Sequence, residues 1–226
     1  MMKLRPSVKL MHLGLIRYQE AFKVQQQCVK SIIAYRQKHR DFDDSLNKLI
    51  ICQHLPVYTV GCNEPYDNCL KEKLENLGAE FCRSTRGGKI TFHGPEQLVV
   101  YPILSLHRWV KSARWYVAHL EKLVISVCKE FNLEANADSQ IGYTGIWVKG
   151  NKICALGLSF HRFVTCHGLA LNCCNDLSWF QQISPCGITD RGVTSLSLEC
   201  NRRIDVQTTL PTLIKCFENI FECKVI

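Results

Sequence analysis

The chain lacks several features that would quickly assign it to a class. No apolar run approaches the roughly 18 residues of a membrane span, and no internal repeat or linker rich in Pro, Gly or Ser divides the sequence. The first ten residues contain no continuous apolar segment of the kind found in secretory signals. The 226 residues, 46% apolar and 21% charged, therefore predict one soluble, folded domain over residues 1–226, with no membrane partner.

Metal-binding patterns are also missing, although cysteine is abundant. The chain has 14 cysteines, yet none forms a Cys-x-x-Cys pair and their spacing matches no structural zinc site. Without a secretory signal, a disulfide framework is not expected either. We therefore expect no metal or other cofactor, a reducing compartment, and cysteines that mostly serve as small core residues.

The charge is positive but dispersed. A formal net charge of +8 permits binding to nucleic acid or to a small acidic protein. There is no long basic run and no aromatic RNA-binding block, so we expect no nucleic-acid partner. The first acidic residue is Glu20, a bias typical of mitochondrial presequences, although residues 7–13 are equally typical of a first strand.

Hydrophobic periodicity predicts an α+β fold. Apolar residues at helical spacing indicate a helix from Tyr18 to near His39, a second capped by Asn68 and a last one capped by Asp205, while Asp176 could cap a short helix. Short runs rich in β-branched residues indicate strands, including a hairpin that turns at 150–151. Because the strands occur in runs, we expect a single domain with a mixed β-sheet flanked by helices.

Adjacent glycines stand between two expected strands in the block Arg86-Gly87-Gly88-Lys89, which continues as Ile90-Thr91-Phe92-His93-Gly94-Pro95. Glycine allows the backbone to approach a ligand closely, and Arg86 offers several donors to an anion or a carbonyl. The alternative is an ordinary turn with a solvated arginine. Neither a Walker A motif nor a dinucleotide fingerprint is present.

Three further residues have two interpretations each on pattern alone. Lys152 is either the exposed polar residue of a hairpin, which is the commoner case, or a functional amine. His167 is either a satisfied core histidine or a hydrogen-bond donor to a substrate carbonyl. Cys186, between Pro185 and Gly187, is either a structural thiol or a nucleophile held by an irregular backbone.

Taken in order, these blocks resemble the lipoyl(octanoyl) transferases, enzymes that move an octanoyl group from acyl carrier protein to lipoyl domains. The similarity also includes Lys152-Ile153-Cys154-Ala155-Leu156-Gly157 and His167 to Asn172, and it covers nearly the whole chain from about Val8. It implies a biotin/lipoate protein ligase catalytic fold. It further implies that Cys186 is the acyl-thioester nucleophile and that Lys152 lowers its pKa and shuttles protons.

The resemblance also implies the substrate-binding residues, the partners and the location. The implied binding residues are Arg86, Gly87, Gly88, Lys89, Ile90, Thr91, Phe92, His93, Ala155, Leu156, Gly157, His167, Gly168, Leu169 and Ala170. The implied partners are octanoyl-acyl carrier protein and lipoyl-domain acceptors, namely glycine cleavage H protein and 2-oxoacid dehydrogenase E2 subunits. The expected location is mitochondrial and the expected state a monomer. An ATP-dependent lipoate or biotin ligase and a non-catalytic carrier- or lipoyl-domain-binding module remain as alternatives.

Two positions depart from the pattern of these transferases. Glu96 stands where glycine usually follows His-Gly-Pro, so a positive φ there would strain the turn, and its charge would disfavour an acidic carrier. Phe92 replaces a tyrosine and removes one hydroxyl donor. Neither change touches Lys152 or Cys186, so activity is expected.

Overall fold

A computed structural model describes residues 5–62, 64–65, 67–138, 144–183 and 191–226. The helices are α1 (Tyr18–Lys38), α2 (Asn68–Asn76), α3 (Ala113–Glu130), α4 (Leu196–Glu199) and α5 (Val206–Ile220), with 3-10 turns at Asp44–Leu46, Leu106–Arg108 and Ser178–Gln182. The strands are β1 (Ser7–Ile16), β2 (Lys48–His54), β3 (Val57–Val60), β4 (Glu80–Arg83), β5 (Thr91–His93), β6 (Gln97–Ile103), β7 (Ala135–Ala137), β8 (Gly145–Val148), β9 (Asn151–His161), β10 (Val164–Asn172) and β11 (Lys224–Val225).

Two sheets form within the described part of the chain. The larger has eight strands in the order β11-β1-β2-β6-β10-β9-β8-β7, and the smaller has the order β4-β3-β5. Strand β1 pairs in parallel with β2 and β11, whereas the other neighbours in the larger sheet are antiparallel. The predicted mixed sheet flanked by helices, with its hairpin between β8 and β9, is therefore confirmed.

Both faces of the larger sheet are covered by helices, because its central strands carry apolar residues on both sides. Leu49 and Ile51 of β2 pack with α3 and α5 in one core. The intervening Ile50 and Cys52 pack with α1 in a second core on the opposite face. This alternation follows from the two-residue period of a strand.

The smaller sheet has an apolar core of its own. Tyr58 and Phe92 pack there with Leu74 of α2 and Phe180. The Phe92 ring stacks on Trp179, with centroids 5.1 Å apart and an angle of 3° between the ring planes. The smaller sheet thus holds the segment that leads toward residue 184.

The helix caps agree with the sequence except at α2. Asp67, not Asn68, is the cap, and its carboxylate accepts a hydrogen bond from the Leu70 amide at 3.0 Å. The predicted cap was one residue late because Asn68 is already the first residue of the helix, whereas the backbone of Asp67 is extended. Asp205 caps α5 as predicted. The Asp176 carboxylate accepts from the Ser178 amide at the start of a 3-10 turn rather than an α-helix.

None of the helices in the described ranges combines the length and the apolar character required to cross a bilayer. The same ranges contain no group of three or more His, Cys, Asp or Glu side chains arranged to hold a metal ion.

Candidate active site

A cavity of about 130 Å³ opens between the smaller sheet, the start of α1 and the α1-covered face of the larger sheet. Strands β6, β9 and β10 supply one wall, and the segment from Arg86 to His93 supplies the opposite wall. The lining residues are Tyr18, Arg86, Gly88, Lys89, Thr91, His93, Val99, Tyr101, Thr144, Ala155, Leu156, Gly157, His167, Gly168, Leu169 and Ala170. Most of the residues expected to bind substrate are therefore brought to one site.

Arg86 is buried in the cavity wall, so the interpretation as a solvated turn residue is wrong. It is 7% exposed. Its Nη2 donates to the carbonyl and the hydroxyl of Thr59 at 2.6 and 2.8 Å, and its Nε donates to the same hydroxyl at 3.3 Å. A Cβ at Gly157 would lie 2.6 Å from Arg86 Cδ. Glycine at position 157 therefore makes room for the arginine.

The neighbouring strand β10 also depends on a glycine. A Cβ at Gly168 would lie 2.1 Å from the Val100 carbonyl oxygen, so a side chain there would push β10 away from β6. The preceding His167 has φ 61°, and its Nε2 lies 3.0 Å from Thr85 Oγ1. The imidazole also stacks on Phe22, with centroids 5.2 Å apart. His167 is thus both a satisfied buried histidine and a wall of the cavity.

A β-bulge decides where Lys152 points. Trp147 pairs with Lys152, but the preceding Ile146 pairs with Cys154, so Ile153 is an extra residue. Ile153 and Cys154 both pack in the core under α3 and α5. In a regular strand Lys152 would share the face of Cys154, and the bulge instead turns it to the opposite face.

Lys152 is held near the cavity mouth in a buried position. It is 5% exposed, so the interpretation as an exposed hairpin residue is wrong. The ammonium donates to the Thr144 carbonyl at 3.2 Å and lies 4.8 Å from the Trp147 ring centroid. Thr144 itself lines the cavity. The carbonyl and the aromatic face offset part of the cost of burying the ammonium.

Cys186 lies outside the described residues, but the chain on both sides of its segment is described. On the upstream side, the Tyr58 hydroxyl donates to the Trp179 carbonyl at 2.7 Å. On the downstream side, the Lys152 amide donates to the Gly192 carbonyl at 2.9 Å, and the Thr194 amide donates to the Lys152 carbonyl at 3.0 Å. Residues 192–194 are thus paired directly with Lys152.

Known proteins match this architecture over almost its full length. The model of the lipoyl protein ligase A/B catalytic domain matches residues 17–218. The chain belongs to this family. It is 47% identical to the zebrafish Danio rerio protein named octanoyl-[acyl-carrier-protein]:protein N-octanoyltransferase LIPT2, mitochondrial, over 98% of this chain and 95% of that protein. The human protein of the same name is 37% identical over 98% of this chain and 96% of its own length.

Solved structures of similar architecture confirm the expected fold. A lipoate-protein ligase A bound with ATP superposes with a TM-score of 0.70 at 14% identity, covering 97% of this chain and 87% of the other. A biotin protein ligase from Aquifex aeolicus superposes with a TM-score of 0.51 at 8% identity, covering 95% and 69%. The predicted biotin/lipoate ligase fold is thus confirmed.

Three buried histidines surround the cavity, and all are uncharged at neutral pH. Burial lowers the pKa of His93 to about 3, assisted by nearby His54. Burial lowers the pKa of His54 to about 4. Burial and the Arg86 charge lower the pKa of His167 to about 4. The histidines near Arg86 thus carry no charge that would repel its guanidinium.

Four of the residues assigned by family resemblance do not line the cavity. Ile90 and Phe92 pack in the core of the smaller sheet. The Gly87 amide donates to the Leu158 carbonyl at 3.0 Å, so the glycine loop, residues 86–89, is hydrogen-bonded to β9. Lys152 contacts the cavity through Thr144. The roles of all four residues stay predictions.

Four leucines of β9 and β10 are candidates for lining an acyl slot or for general core. Leu156 and Leu169 are among the residues that border the cavity, but all four leucines lie in or pack against the core under α3 and α5.

Glu96 has φ 64°, so its backbone has the positive φ at which a residue other than glycine strains the turn. Its carboxylate accepts from the Cys174 thiol at 3.0 Å and lies 3.6 Å from the Arg203 guanidinium. Its amide donates to the Gln53 side chain at 2.7 Å. These contacts offset part of the backbone strain and of the negative charge.

Most other cysteines are poor nucleophiles at neutral pH. Burial raises the pKa of Cys173 to about 12 and that of Cys154 well above its ordinary value. This agrees with their expected role as core residues, although the exposed Cys62 and Cys69 are exceptions to burial.

Sequence reasoning missed several residues of the site. Tyr18, Val99 and Tyr101 line the cavity, and Thr59 anchors Arg86. No local motif marks them, because they come from distant strands and from α1. Asn172 is the last residue of the His-Gly-Leu-Ala-Leu-Asn block. Its place in this motif was the one sequence signal that pointed to it.

Proposed function

We propose that the chain is a mitochondrial acyltransferase that moves an octanoyl group from octanoyl-acyl carrier protein to a lysine of lipoyl domains. The observation that carries the proposal is Lys152, a buried ammonium turned away from the core by a bulge and paired with the chain just after the Cys186 segment. The zebrafish and human relatives support the activity and the location, since their names state both.

The first half-reaction loads the enzyme. The Lys152 ammonium stabilises the Cys186 thiolate, because an opposite charge within a few ångströms lowers a thiol pKa by about 1–3 units. The thiolate attacks the thioester carbonyl, the bond to the carrier sulfur breaks, and Lys152 supplies the proton that the departing carrier thiolate takes up. One thioester replaces another, so the step requires no ATP.

The second half-reaction transfers the acyl group. The lysine amine of the lipoyl domain attacks the Cys186 thioester, an amide bond forms, and the carbon–sulfur bond breaks. Lys152, neutral after the first step, accepts the proton lost by the attacking amine and so restores the ammonium beside the thiolate. The acceptors we expect are glycine cleavage H protein and 2-oxoacid dehydrogenase E2 subunits.

The cavity is suited to hold the acyl chain during both steps. Val99, Ala155 and Ala170 supply apolar walls. Each methylene buried there contributes about 0.8 kcal/mol. Arg86 and the backbone of the glycine loop supply donors for a carbonyl oxygen.

One alternative has a specific observation in its favour. The lipoate-protein ligase A structure of the same fold is bound with ATP, so an ATP-dependent ligase reaction is the second candidate. At 14% identity this likeness concerns the fold alone. A ligase would form an acyl-adenylate and would require ATP and magnesium.

Intact-mass measurement tests the proposal. After incubation with octanoyl-acyl carrier protein, without ATP or magnesium, the wild-type enzyme is expected to gain one octanoyl group, which an added lipoyl domain then removes. The Cys186→Ser variant is expected to give no adduct, and Lys152→Ala to form it at least about a hundredfold more slowly. Cys69→Ser, which removes an exposed cysteine, is the matched control. A full adduct on Cys186→Ser, or a strict requirement for ATP, would refute the proposal.

A further inference from the structure

Two buried side-chain amides, Gln97 and Asn172, connect the cavity to the Lys152 strand. Gln97 is 1% exposed and Asn172 is 4% exposed. The Gln97 Oε1 atom lies 2.8 Å from His93 Nδ1, and the Gln97 Nε2 group donates to Asn172 Oδ1 at 2.9 Å. The Asn172 Nδ2 group donates to the Thr194 carbonyl at 2.9 Å. An unbroken set of hydrogen bonds therefore runs from His93 to Thr194.

Backbone carbonyls fix the direction of every bond in this set, because a carbonyl can only accept. The Thr194 carbonyl requires the NH2 group of Asn172, which leaves Asn172 Oδ1 facing Gln97. The Phe92 carbonyl, 3.3 Å from Gln97 Nε2, independently requires the NH2 group of Gln97 on that side. Gln97 Oε1 must then face His93, so Nδ1 of His93 carries the hydrogen.

The other ring nitrogen of His93 is consequently an acceptor. A buried, uncharged imidazole has one N–H group, so Nε2 presents a lone pair. Nε2 lies 3.3 Å from Thr59 Oγ1. The single hydroxyl hydrogen of Thr59 donates to it, which leaves the hydroxyl oxygen to accept from Nε and Nη2 of Arg86. With the opposite tautomer, the His93 N–H and Arg86 would compete for that oxygen.

The far end of the set reaches the backbone beside Lys152. Thr194 donates its amide to the Lys152 carbonyl at 3.0 Å and accepts from Asn172 through its own carbonyl. One buried side chain at the end of β10 thus holds residue 194, eight positions after Cys186 in the sequence, against β9.

We infer that Gln97 and Asn172 are positioning residues: Gln97 fixes His93 as the Nδ1–H tautomer that orients Arg86 through Thr59, and Asn172 holds Thr194 against the Lys152 strand. The kinetic consequence rests on the proposed acyl transfer, whereas the tautomer and the Thr194 contact do not. His93 therefore acts on Arg86 indirectly, through Thr59. Its Nε2 atom is an acceptor and donates no hydrogen bond to a substrate carbonyl.

Nitrogen-15 spectra of histidine test the Gln97 arm. In the wild-type enzyme between pH 5 and pH 8, His93 is expected to show a protonated Nδ1 and an unprotonated Nε2. Gln97→Glu is isosteric, but its carboxylate favours the imidazolium and is expected to raise the pKa of His93 by about 1–3 units. A wild-type His93 that carries its hydrogen on Nε2, or a Gln97→Glu variant in which His93 titrates at the same pH as in the wild type, would overturn this arm.

Asn172→Asp tests the second arm, because Asp can accept from Gln97 but cannot donate to Thr194. We expect an unchanged His93 tautomer, faster hydrogen exchange of the Thr194 amide, and a fall of about tenfold to a hundredfold in the maximal rate of adduct formation with little change in the KM for the carrier. Asn47→Asp, at an equally buried asparagine whose Oδ1 accepts from the Ser105 amide, is the control for general destabilisation.

The readouts separate this inference from the proposed function. Wild-type protein that forms no adduct would refute acyl transfer, while the His93 spectra and the Thr194 exchange rate would still decide the positioning roles. If Asn172→Asp formed the adduct at the wild-type rate and its Thr194 amide exchanged as slowly as in the wild type, the role of Asn172 would be refuted. The proposed function would remain intact.

Discussion

The two faces of the eight-stranded sheet are both buried, yet they differ in chemistry. The face under α3 and α5 is a continuous apolar core. The face under α1 also has apolar residues, but beside them lie Arg86, three histidines and the hydroxyls of Tyr18 and Tyr101, all buried. The same strands build both faces, since alternate residues of each strand point to opposite sides.

This difference indicates a division of labour. Burial of apolar surface contributes stability on the α3/α5 face. On the α1 face, burial of polar groups costs free energy unless each is hydrogen-bonded, and here His54, for example, contacts the Ile16 carbonyl at 2.9 Å and the Tyr101 hydroxyl at 2.8 Å. A polar face retained at such a cost is typical of a site rather than of a scaffold.

The largest expected effect on stability comes from the apolar face. Leu123 of α3 is completely buried, so Leu123→Ala is expected to lower the free energy of unfolding by about 2–5 kcal/mol. The rate of adduct formation per folded molecule should not change. Urea unfolding and intact-mass kinetics measure the two quantities, and Leu198→Ala at an exposed leucine is the control. A lost activity in fully folded Leu123→Ala would break the proposed division.

The polar face should show the reverse behaviour. Arg86→Lys keeps the charge but replaces a planar fork that donates to Thr59 by a single ammonium. Loss of these charged hydrogen bonds, about 1.5–3 kcal/mol, is expected to slow adduct formation about tenfold to a hundredfold. Stopped reactions analysed by mass give the rate, and Arg83→Lys, at an exposed arginine of β4, is the control. An unchanged rate would remove Arg86 from the site.

The buried histidines should make the polar face the acid-sensitive one. Above pH 6.5 each is neutral in both folded and unfolded chains, so stability does not depend on its titration. Below pH 6.5 the unfolded chain binds protons that the folded chain, with His54 and His167 at a pKa of about 4, does not. Stability should therefore fall with decreasing pH, by about 1.4 kcal/mol per pH unit for each histidine.

Urea unfolding between pH 7 and pH 5 measures this slope. His54→Gln is expected to reduce it by the contribution of one histidine, and His39→Gln, at an exposed histidine, is the matched control. Equal slopes for the wild type and His54→Gln would show that His54 is not held neutral.

The smallest expected effect is at Glu96, in the turn between β5 and β6. Glu96→Gly relieves a left-handed backbone that costs about 1 kcal/mol, but it also loses the contacts to Cys174 and Arg203 and adds freedom to the unfolded chain. The net change in unfolding free energy should be below about 1 kcal/mol. Glu96→Gln keeps the strain and removes the charge, so its KM for the carrier isolates the charge effect. A loss above about 2 kcal/mol in Glu96→Gly would contradict this balance.

The sequence predicted much of the fold, because strand and helix periodicities and caps such as Asp205 are local signals. It predicted the cap of α2 one residue late, since Asp67 and Asn68 are both good caps and only backbone angles distinguish them. At the site, ordered motifs indicated Arg86, Lys152 and His167, but pattern alone favoured an exposed Lys152. The bulge at Ile153 that buries Lys152 cannot be recognised from the types of residue around it.

The sequence by itself determined the family and the set of residues that form the site, because the order and the spacing of the four motifs can be read along the chain without a structure. Only the tertiary structure decided which direction these residues face and what holds them. The turn of Lys152 depends on strand register, the anchoring of Arg86 on Thr59 of another strand, and the tautomer of His93 on carbonyls at Phe92 and Thr194. Such relations join residues far apart in the chain, so no local pattern encodes them.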